Sequence, residues 1–353
     1  MRDSKPSTGA KTPAPRSETG KAETMKSIRR RAFVAGSAAL LASGGRTHAE
    51  DYPSRPVTFI VPFPPGGSTT IVVRSVSDRL GELLGQQVII DNRGGAGGTV
   101  GTKALARSEP DGYTIGLGYS GTLAIGPNLY SNPGYDPRKD FAAIGRIATA
   151  PNTLVVHPSF QAKNVAELIA YAKANPGKVN YGSAGVGTVS HICGEYFANA
   201  AGIKLVHVPY KGTGPALSDL IGDLIGGHIP MAFAPIPATY SNSKEGNMRM
   251  LAVTSAKRST LAPEIPTIAE QGVPGFEAVL RYGIVAPAGT PAPIVARLNK
   301  ALNEALASDE IRKRLALEGA EPLPSTPAEY AADIDREERE WGKVVKESGA
   351  KAD

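Results

Sequence analysis

The stretch IVPFPPGGSTT, residues 60–70, decides how this chain folds. An apolar run ends abruptly in prolines, two glycines follow, and a helix-like pattern begins at Thr69. A strand that gives way to a helix through a glycine-rich turn is typical of a βαβ unit. Glycine has no Cβ, so the backbone can come close to another group there. The first turn of a helix also carries unpaired N–H groups and the positive end of the helix dipole, which favour an anion.

Strand and helix patterns alternate along most of the chain, which predicts an α/β fold with parallel βαβ units. The first helix has Val72, Val76, Leu80 and Leu83 on one face and Gly85 as its stop. The predicted strands are 55–63, 86–92, 111–120, 152–158, 177–185, 203–210, 228–235, 248–256 and 280–289. The predicted helices are 68–85, 99–107, 165–175, 188–201, one from 214 onward, 291–307 and 327–347.

Two further strand-to-helix junctions have the same format, GYSGT at 118–122 and GSAGVGTVSH at 182–191. Ligands of open α/β sheets bind beyond the carboxyl ends of the strands, where such junctions lie. Ser68 and Thr188 stand at predicted N-cap positions, and either could instead donate its hydroxyl to a ligand. Each loop alone is explained by a tight turn before a capped helix, but three in one chain favour a binding site.

The positive charge belongs to the N-terminal segment. Residues 1–49 contain ten Lys and Arg and three Asp and Glu, out of totals of 39 and 33, so the rest has 29 basic and 30 acidic residues. A body with a net charge of −1 has no electrostatic signature of nucleic-acid binding. We therefore expect no nucleic-acid partner.

The N-terminal segment has the pattern of an export signal. A cluster of three arginines precedes a short apolar stretch that ends in Thr47-His48-Ala49, a small-x-small pattern that predicts cleavage after Ala49. The apolar stretch is too short to span a bilayer. Arg30 and Arg31 fit the twin-arginine route, and an ordinary Sec signal remains the alternative. Translation could start at Met1 or at Met25, and we expect a periplasmic protein.

Catalytic and cofactor patterns are weak. Residues 116–121 match G-x-G-x-x-G after a strand, but Gly126-Pro127 interrupts the helix that a dinucleotide site needs. His191 and Cys193 lie two apart on a predicted helix, so their side chains diverge. His191 and Glu195 are spaced for a shared metal, but no third ligand is evident. The single cysteine excludes a disulfide within the chain, and we expect no catalytic residue, metal or cofactor.

Ten motifs, in order over nearly all of residues 52–350, resemble one family, the periplasmic solute receptors of tripartite tricarboxylate transporters, also called Bug proteins. The motifs are YPSRPVTFIVPFPPGGST, NRGGAGGTVG, PDGYTIGLG, YDPRKDFAAIG, VVHPS, VNYGSAG with GT and SH, HVPYKGTGPAL, LAVTSAKRS, PAGTPAPIVARLN and WGKVVKESGAK. The resemblance implies a type II periplasmic-binding-protein fold, in which two α/β domains close on a ligand like a flytrap. We expect an export segment at 1–49, a discontinuous domain 1 at 50–151 and 277–353, and domain 2 at 152–276.

The resemblance also implies which residues hold a small carboxylate. The expected set is Phe63, Gly66, Gly67, Ser68, Thr69 and Thr70 on one side, Ser183, Ala184, Gly185, Gly187, Thr188 and His191 on the other, and Tyr119, Ser120, Gly121 and Thr122 on the floor. The implied function is non-catalytic: a monomeric receptor delivers its ligand to the membrane components of a transporter, or presents it to a sensor. An exported hydrolase-like enzyme that uses the same cleft is the alternative.

This chain departs from the family pattern at Thr70, Val186, Ala234 and Arg281. Thr70 and Ala234 stand where the family usually has an acid, and Arg281 stands where an aromatic residue is usual. Fewer acids and an added guanidinium favour a more highly charged ligand. We therefore predict a di- or tricarboxylate, with one group on the 66–70 loop and another near Arg281.

Overall fold

The structure is a computed structural model that describes residues 52–222 and 228–350. The chain divides into two units, Met1–Glu50 and Asp51–Asp353, and the description below concerns the second unit. The expectations about the export signal, including Met25, Arg30, Arg31 and cleavage after Ala49, lie outside the described residues.

Strands and helices alternate along the described residues. The strands are β1 (Val57–Val61), β2 (Val88–Asn92), β3 (Thr114–Tyr119), β4 (Phe141–Val156), β5 (Val179–Ser183), β6 (Leu205–Pro209), β7 (Met231–Pro235), β8 (Arg249–Val253), β9 (Val279–Pro287) and β10 (Glu321–Pro322). The helices are α1 (Ser68–Leu84), α2 (Thr99–Ala106), α3 (Gly126–Leu129), α4 (Val165–Ala174), α5 (Val189–Ala201), α6 (Thr213–Gly222), α7 (Ile236–Lys244), α8 (Ala292–Ala307), α9 (Asp309–Leu317) and α10 (Pro327–Ser348). A π-helical turn, Gly121–Ile125, leads into α3.

The hydrogen-bonded strand order is β2-β1-β3-β9-β4-β7-β5-β6, with β8 and β10 also paired to β4. β1 pairs in parallel with β2 and β3, and β5 pairs in parallel with β6 and β7, as the sequence predicts. β4 and β9 run antiparallel to their neighbours and join the two parallel groups. We call the β1–β3 group the first lobe and the β5–β8 group the second lobe.

The long strand β4 passes from one lobe to the other. Its residues Phe141–Pro151 pair with β9, and its residues Asn152–Val156 pair with β7. The predicted division between residues 151 and 152 falls where this strand changes partner. The domain boundaries themselves stay a prediction.

The predicted apolar face of α1 is largely confirmed. Val72, Val76 and Leu80 are buried, and Gly85 ends the helix in the left-handed conformation with φ 78°. Leu84 is buried, whereas the expected Leu83 is only partly so. A helix buries a stripe wider than a single row of side chains, so one neighbouring position was misjudged.

The sequence reading missed the first part of β4 and the helices α7 and α9. Residues 141–151, FAAIGRIATAP, contain four alanines and lack the alternation typical of a strand with one solvent face. α7, IPATYSNSK, is largely polar and has a weakly amphipathic pattern. Neighbouring strands and helices therefore determine these elements more than their own sequences do.

The C-terminal helix α10 packs against the π-helical turn, β4 and α5, and so contacts both lobes. It begins with a capping box, in which the Thr326 hydroxyl accepts from the Glu329 amide and the Glu329 carboxylate accepts from the Thr326 amide. None of the helices formed by residues 52–222 and 228–350 combines the length and the apolar character needed to cross a bilayer.

Candidate functional site

The loops predicted to bind a ligand meet where the two lobes face each other. The Tyr130 hydroxyl, at the end of α3, donates to the Val186 carbonyl across the lobes at 3.3 Å. A Cβ on Gly97 would lie 2.8 Å from the same carbonyl oxygen, and one on Gly121 would lie 3.4 Å from the Gly187 carbonyl oxygen. The structure therefore brings the floor loop and the second-lobe loop into contact.

The first-lobe loop opens directly onto the N-terminus of α1. The N-cap is Gly67, with φ −82° and ψ 164°, and no side chain caps the helix. The expectation that Ser68 is the N-cap was therefore wrong: Ser68 is the first helical residue, and its hydroxyl bonds to Tyr282 instead. A Cβ on Gly66 would meet nothing within 4 Å, and one on Gly67 would meet only the Thr69 hydroxyl at 3.9 Å. The loop thus leaves open space beside the uncapped amides.

Asn92, at the end of β2, holds this loop in place. Its side-chain amide donates to the Phe63 carbonyl at 2.8 Å and to the Thr70 hydroxyl at 2.9 Å. Thr70 is 2% exposed, and Thr69 is also buried. Thr70 therefore supports the loop from within, which explains why a neutral hydroxyl suits this position.

The floor loop begins at Tyr119, a buried ring that packs edge-on against Phe63 with centroids 5.2 Å apart. The amide of Val189, the first residue of α5, donates to the Tyr119 hydroxyl. Burial raises the pKa of Tyr119 well above its ordinary value, and the neighbouring Tyr282 adds to this effect. Tyr119 is therefore a neutral phenol that links the first lobe to the helix N-terminus of the second.

Ser120 and Arg281 come together where β3 ends beside β9, around a buried carboxylate, Glu337 of α10. The Ser120 hydroxyl donates to Glu337 Oε1 at 2.9 Å, and Arg281 Nη1 donates to the same oxygen at 2.8 Å. The Arg281 amide donates to the Ser120 hydroxyl at 2.9 Å. Burial raises the pKa of Glu337, and the Arg281 guanidinium opposes that rise. The idea that Arg281 holds a ligand carboxylate stays a prediction, and its guanidinium already has an internal partner.

The cavity that Arg281 lines has a volume of about 340 Å³ and is formed mainly by α10, the start of β9 and Tyr196 of α5. None of the other predicted site residues lines it. On the floor loop, Thr122 is fully buried and donates to the Tyr119 carbonyl at 3.2 Å. Ser120 and Thr122 therefore direct their hydroxyls into the protein.

The second-lobe loop satisfies most of its own polar groups. The Gly185 amide donates to the Ser183 hydroxyl at 3.1 Å, and the Thr188 hydroxyl donates to the Gly185 carbonyl at 2.7 Å. The Gly187 amide donates to His191 Nδ1 at 3.3 Å. Thr188 caps α5 by accepting from the His191 amide, so the predicted N-cap is confirmed. In addition, the Ala184 amide donates to the Ser190 hydroxyl at 3.0 Å.

A stacked pair of imidazoles lies beneath this loop. His191 of α5 and His207 of β6 have ring centroids 3.9 Å apart, and His207 Nε2 is 2.6 Å from the Ser183 hydroxyl. Burial lowers the pKa of His191 to about 3, with a further contribution from His207, and burial lowers the pKa of His207 to about 4. Both rings are therefore neutral at physiological pH, and the loop above them carries no charge.

Sequence reasoning missed Asn92, His207 and Glu337. The register of β5 and β6 could have indicated His207, because it places Tyr181 opposite His207 and Ser183 opposite Pro209. The contact between Ser120 and Glu337 joins residues 217 positions apart in the chain, and no local pattern carries that information.

The site offers hydrogen-bond donors and a shaped space but no activated nucleophile. Burial raises the pKa of the Cys193 thiol to about 12, and the neighbouring Asn152 and Thr254 side chains oppose that rise only in part. His191 Nε2 lies 4.0 Å from Glu195, and among the residues described no third acid, His or Cys completes a metal site. The glycines of the G-x-G-x-x-G match serve packing, because a Cβ on Gly116 would collide with Leu105 and one on Gly118 with Tyr330.

The sequence matches the tripartite tricarboxylate transporter family receptor over residues 72–350. The chain belongs to this family. It is 39% identical to protein BugT of Bordetella pertussis over 304 residues, which is 86% of this chain and 92% of BugT. The periplasmic binding protein BugD has a similar structure, with a TM-score of 0.77 and 38% identity, covering 85% of this chain and 99% of BugD.

A second solved structure of a similar receptor, Rpa4515 of R. palustris with adipate, has a TM-score of 0.79 and 38% identity, covering 85% of this chain and 99% of Rpa4515. These similarities confirm the periplasmic-binding-protein fold. They also make this family member a solute receptor, and the enzyme alternative is set aside on that ground.

Proposed function

We propose that this receptor binds a small carboxylate between its two lobes, with one carboxylate group at the N-terminus of α1. The uncapped first turn of α1 carries this proposal, because its amides face open space beside Gly66 and Gly67. Helix N-termini of this kind favour anions through unpaired N–H groups and the helix dipole. Adipate in the similar receptor Rpa4515 supports a carboxylate as the ligand class.

We propose that the ligand contacts this loop and residues of the two neighbouring loops: Phe63, Gly66, Gly67, Ser68, Thr69, Tyr119, Ala184 and Gly185. Six of the other nine predicted site residues donate or accept through their side chains within the protein, and we assign them to holding the loops. These are Thr70, Ser120, Thr122, Ser183, Thr188 and His191.

The family and the N-terminal sequence support a proposal for the place of action. We propose that the protein acts in the periplasm and passes its ligand to the membrane components of a tripartite tricarboxylate transporter, or presents it to a sensor. The arginines and apolar stretch of residues 26–49 support export with cleavage after Ala49, by the twin-arginine or the Sec route.

A thermal-shift screen of the full chain against mono-, di- and tricarboxylates tests this proposal. A ligand at 100 times its Kd adds about 2.7 kcal/mol to the free energy of unfolding, which produces a clear rise in Tm. Uncharged amides of the same acids are the control, and they should give no rise. Failure of every carboxylate to shift Tm would contradict the proposed function.

A further inference from the structure

A fourth strand-to-helix loop, residues 210–212 between β6 and α6, adjoins the second-lobe loop. The Tyr210 amide donates to the Ser183 carbonyl at 3.1 Å. A Cβ on Gly185 would lie only 3.0 Å from the Tyr210 carbonyl oxygen. Because β5 and β6 are parallel, with Ser183 opposite Pro209, both loops leave the same edge of the sheet. The 210–212 loop therefore borders the proposed ligand space.

This loop is held by contacts on both of its sides. The Tyr210 hydroxyl donates to the Asp219 carboxylate of α6, which anchors the loop to the helix that follows. Gly212 has φ 131°, a conformation that side chains disfavour, and α6 begins directly afterwards at Thr213. The position of Lys211, between Tyr210 and Gly212, is thus set by its neighbours.

Lys211 is exposed and has no ion-pair partner among the described residues. Two other cations near the predicted site are already paired. Arg281 pairs with Glu337 at 2.8 Å, and Arg93 pairs with Asp91 at 2.8 Å. The only carboxylate bonded to the 210–212 loop in the described part of the chain, Asp219, is engaged by Tyr210. An exposed lysine without an ion-pair partner beside the proposed ligand space is free to pair with an anionic group that binds there.

We infer that Lys211 pairs with a second carboxylate of the ligand, opposite the group held at the N-terminus of α1. This inference rests on the proposed function and specifies its ligand class: a dicarboxylate is preferred over a monocarboxylate of equal length. The start of α6 adds the positive end of a helix dipole on the same side. An ammonium on a flexible stem can follow second carboxylates at different distances, so chain length would be selected less strictly than charge.

Calorimetric titration of the full chain tests the inference. The probes are the linear dicarboxylates from succinate to pimelate and the monocarboxylates of the same carbon number, for example adipate and hexanoate. Lys211→Met should lower the affinity for the tightest-binding dicarboxylate about 10- to 100-fold, because a charge-assisted contact is lost. The affinity for the monocarboxylate of the same carbon number should stay unchanged. Lys211→Arg should keep most of the preference, since it keeps the charge.

Lys204→Met is the matched control. Lys204 is also an exposed lysine, and it precedes β6 at the end opposite Lys211. Lys204→Met should leave the affinities for the dicarboxylate and for the monocarboxylate unchanged. Equal dicarboxylate affinity in Lys211→Met and the wild type, or equal losses for both ligand types, would overturn the inference. A wild type that binds only monocarboxylates would also overturn it and leave the proposed function intact, whereas a wild type that binds no carboxylate would contradict the function itself.

Discussion

The two glycine-rich loops at the lobe interface, residues 63–70 and 183–191, look alike in sequence but satisfy their amides differently. The first ends in the glycine N-cap of α1, with no capping side chain and open space beside it. The second uses Ser183, Thr188 and His191 to bond its own backbone groups. A strand, a glycine-rich turn and a helix therefore do not by themselves make an anion site. What matters is whether side chains within the loop already occupy the donors.

The first prediction concerns stability and sets the second loop apart from the first. Gly187 has φ +80°, and a Cβ there would lie 3.1 Å from Tyr130 Cε2 and 3.2 Å from Leu129 Cδ2. Gly187→Val should lower the free energy of unfolding by about 2–5 kcal/mol, because backbone strain and overpacking add. Urea unfolding measures the effect.

Gly177→Val is its control, since Gly177 has φ +72° and open space around its missing Cβ. It should show the backbone strain alone and therefore a smaller loss than Gly187→Val. Equal losses in the two variants would mean that the contacts with Tyr130 and Leu129 do not constrain the second loop.

The second prediction concerns binding and belongs to the first loop. Gly67 has φ −82°, which any residue adopts, and a Cβ there meets only the Thr69 hydroxyl at 3.9 Å. Gly67→Val should leave Tm of the free protein nearly unchanged. It should lower the affinity for the carboxylate found in the screen by about 100-fold, or 2.7 kcal/mol of binding free energy. The branched side chain would occupy the space beside the amides of α1. Full affinity in this variant would place the anion elsewhere.

The α/β fold and the location of the loops could be predicted because they depend on local patterns. The face of α1 follows from apolar spacing, and Gly85 follows from the need for a left-handed stop. Whether the polar groups of each loop are already hydrogen-bonded could not be predicted, because that depends on residues far away in the chain. Asn92 reaches Thr70 from β2, and His207 reaches Ser183 from β6. The sequence places Ser68 and Thr188 at equivalent positions, yet only Thr188 caps its helix.

The third prediction uses the titratable groups beneath the second loop, His191 and His207, which Glu195 and Tyr181 face. Burial lowers the pKa of His191 to about 3 and that of His207 to about 4, so the unfolded chain binds protons more readily than the folded one. The free energy of unfolding therefore carries no penalty from these imidazoles above about pH 6.5. It falls as the pH drops from there toward the pKa values of the folded state. Between pH 8 and pH 5, His191 alone should account for about 2 kcal/mol of loss.

Urea unfolding of the wild type and His207→Gln at pH 8 and pH 5 measures this effect. The variant should lose about 1–2 kcal/mol less than the wild type over that interval, because one of the buried imidazoles no longer needs to stay neutral. The first loop, residues 63–70, contains no titratable side chain and therefore adds nothing to this pH dependence. The same pH dependence in both proteins would show that the imidazole pair does not control it.

The smallest expected effect tests the capping difference directly. The Thr188 hydroxyl accepts from the His191 amide at 3.4 Å and donates to the Gly185 carbonyl at 2.7 Å, so Thr188→Ala should cost about 1 kcal/mol of stability. Thr188→Ser keeps the hydroxyl and should retain most of the stability.

The mirror change, Gly67→Ser, would give α1 a capping hydroxyl that competes with the ligand for the same amides. It should raise stability by a few tenths of a kcal/mol while it lowers carboxylate affinity, as thermal unfolding and calorimetric titration would measure. If Gly67→Ser left affinity unchanged, the amides at the start of α1 would not be the ligand's donors, and the contrast between the two loops would have no bearing on binding.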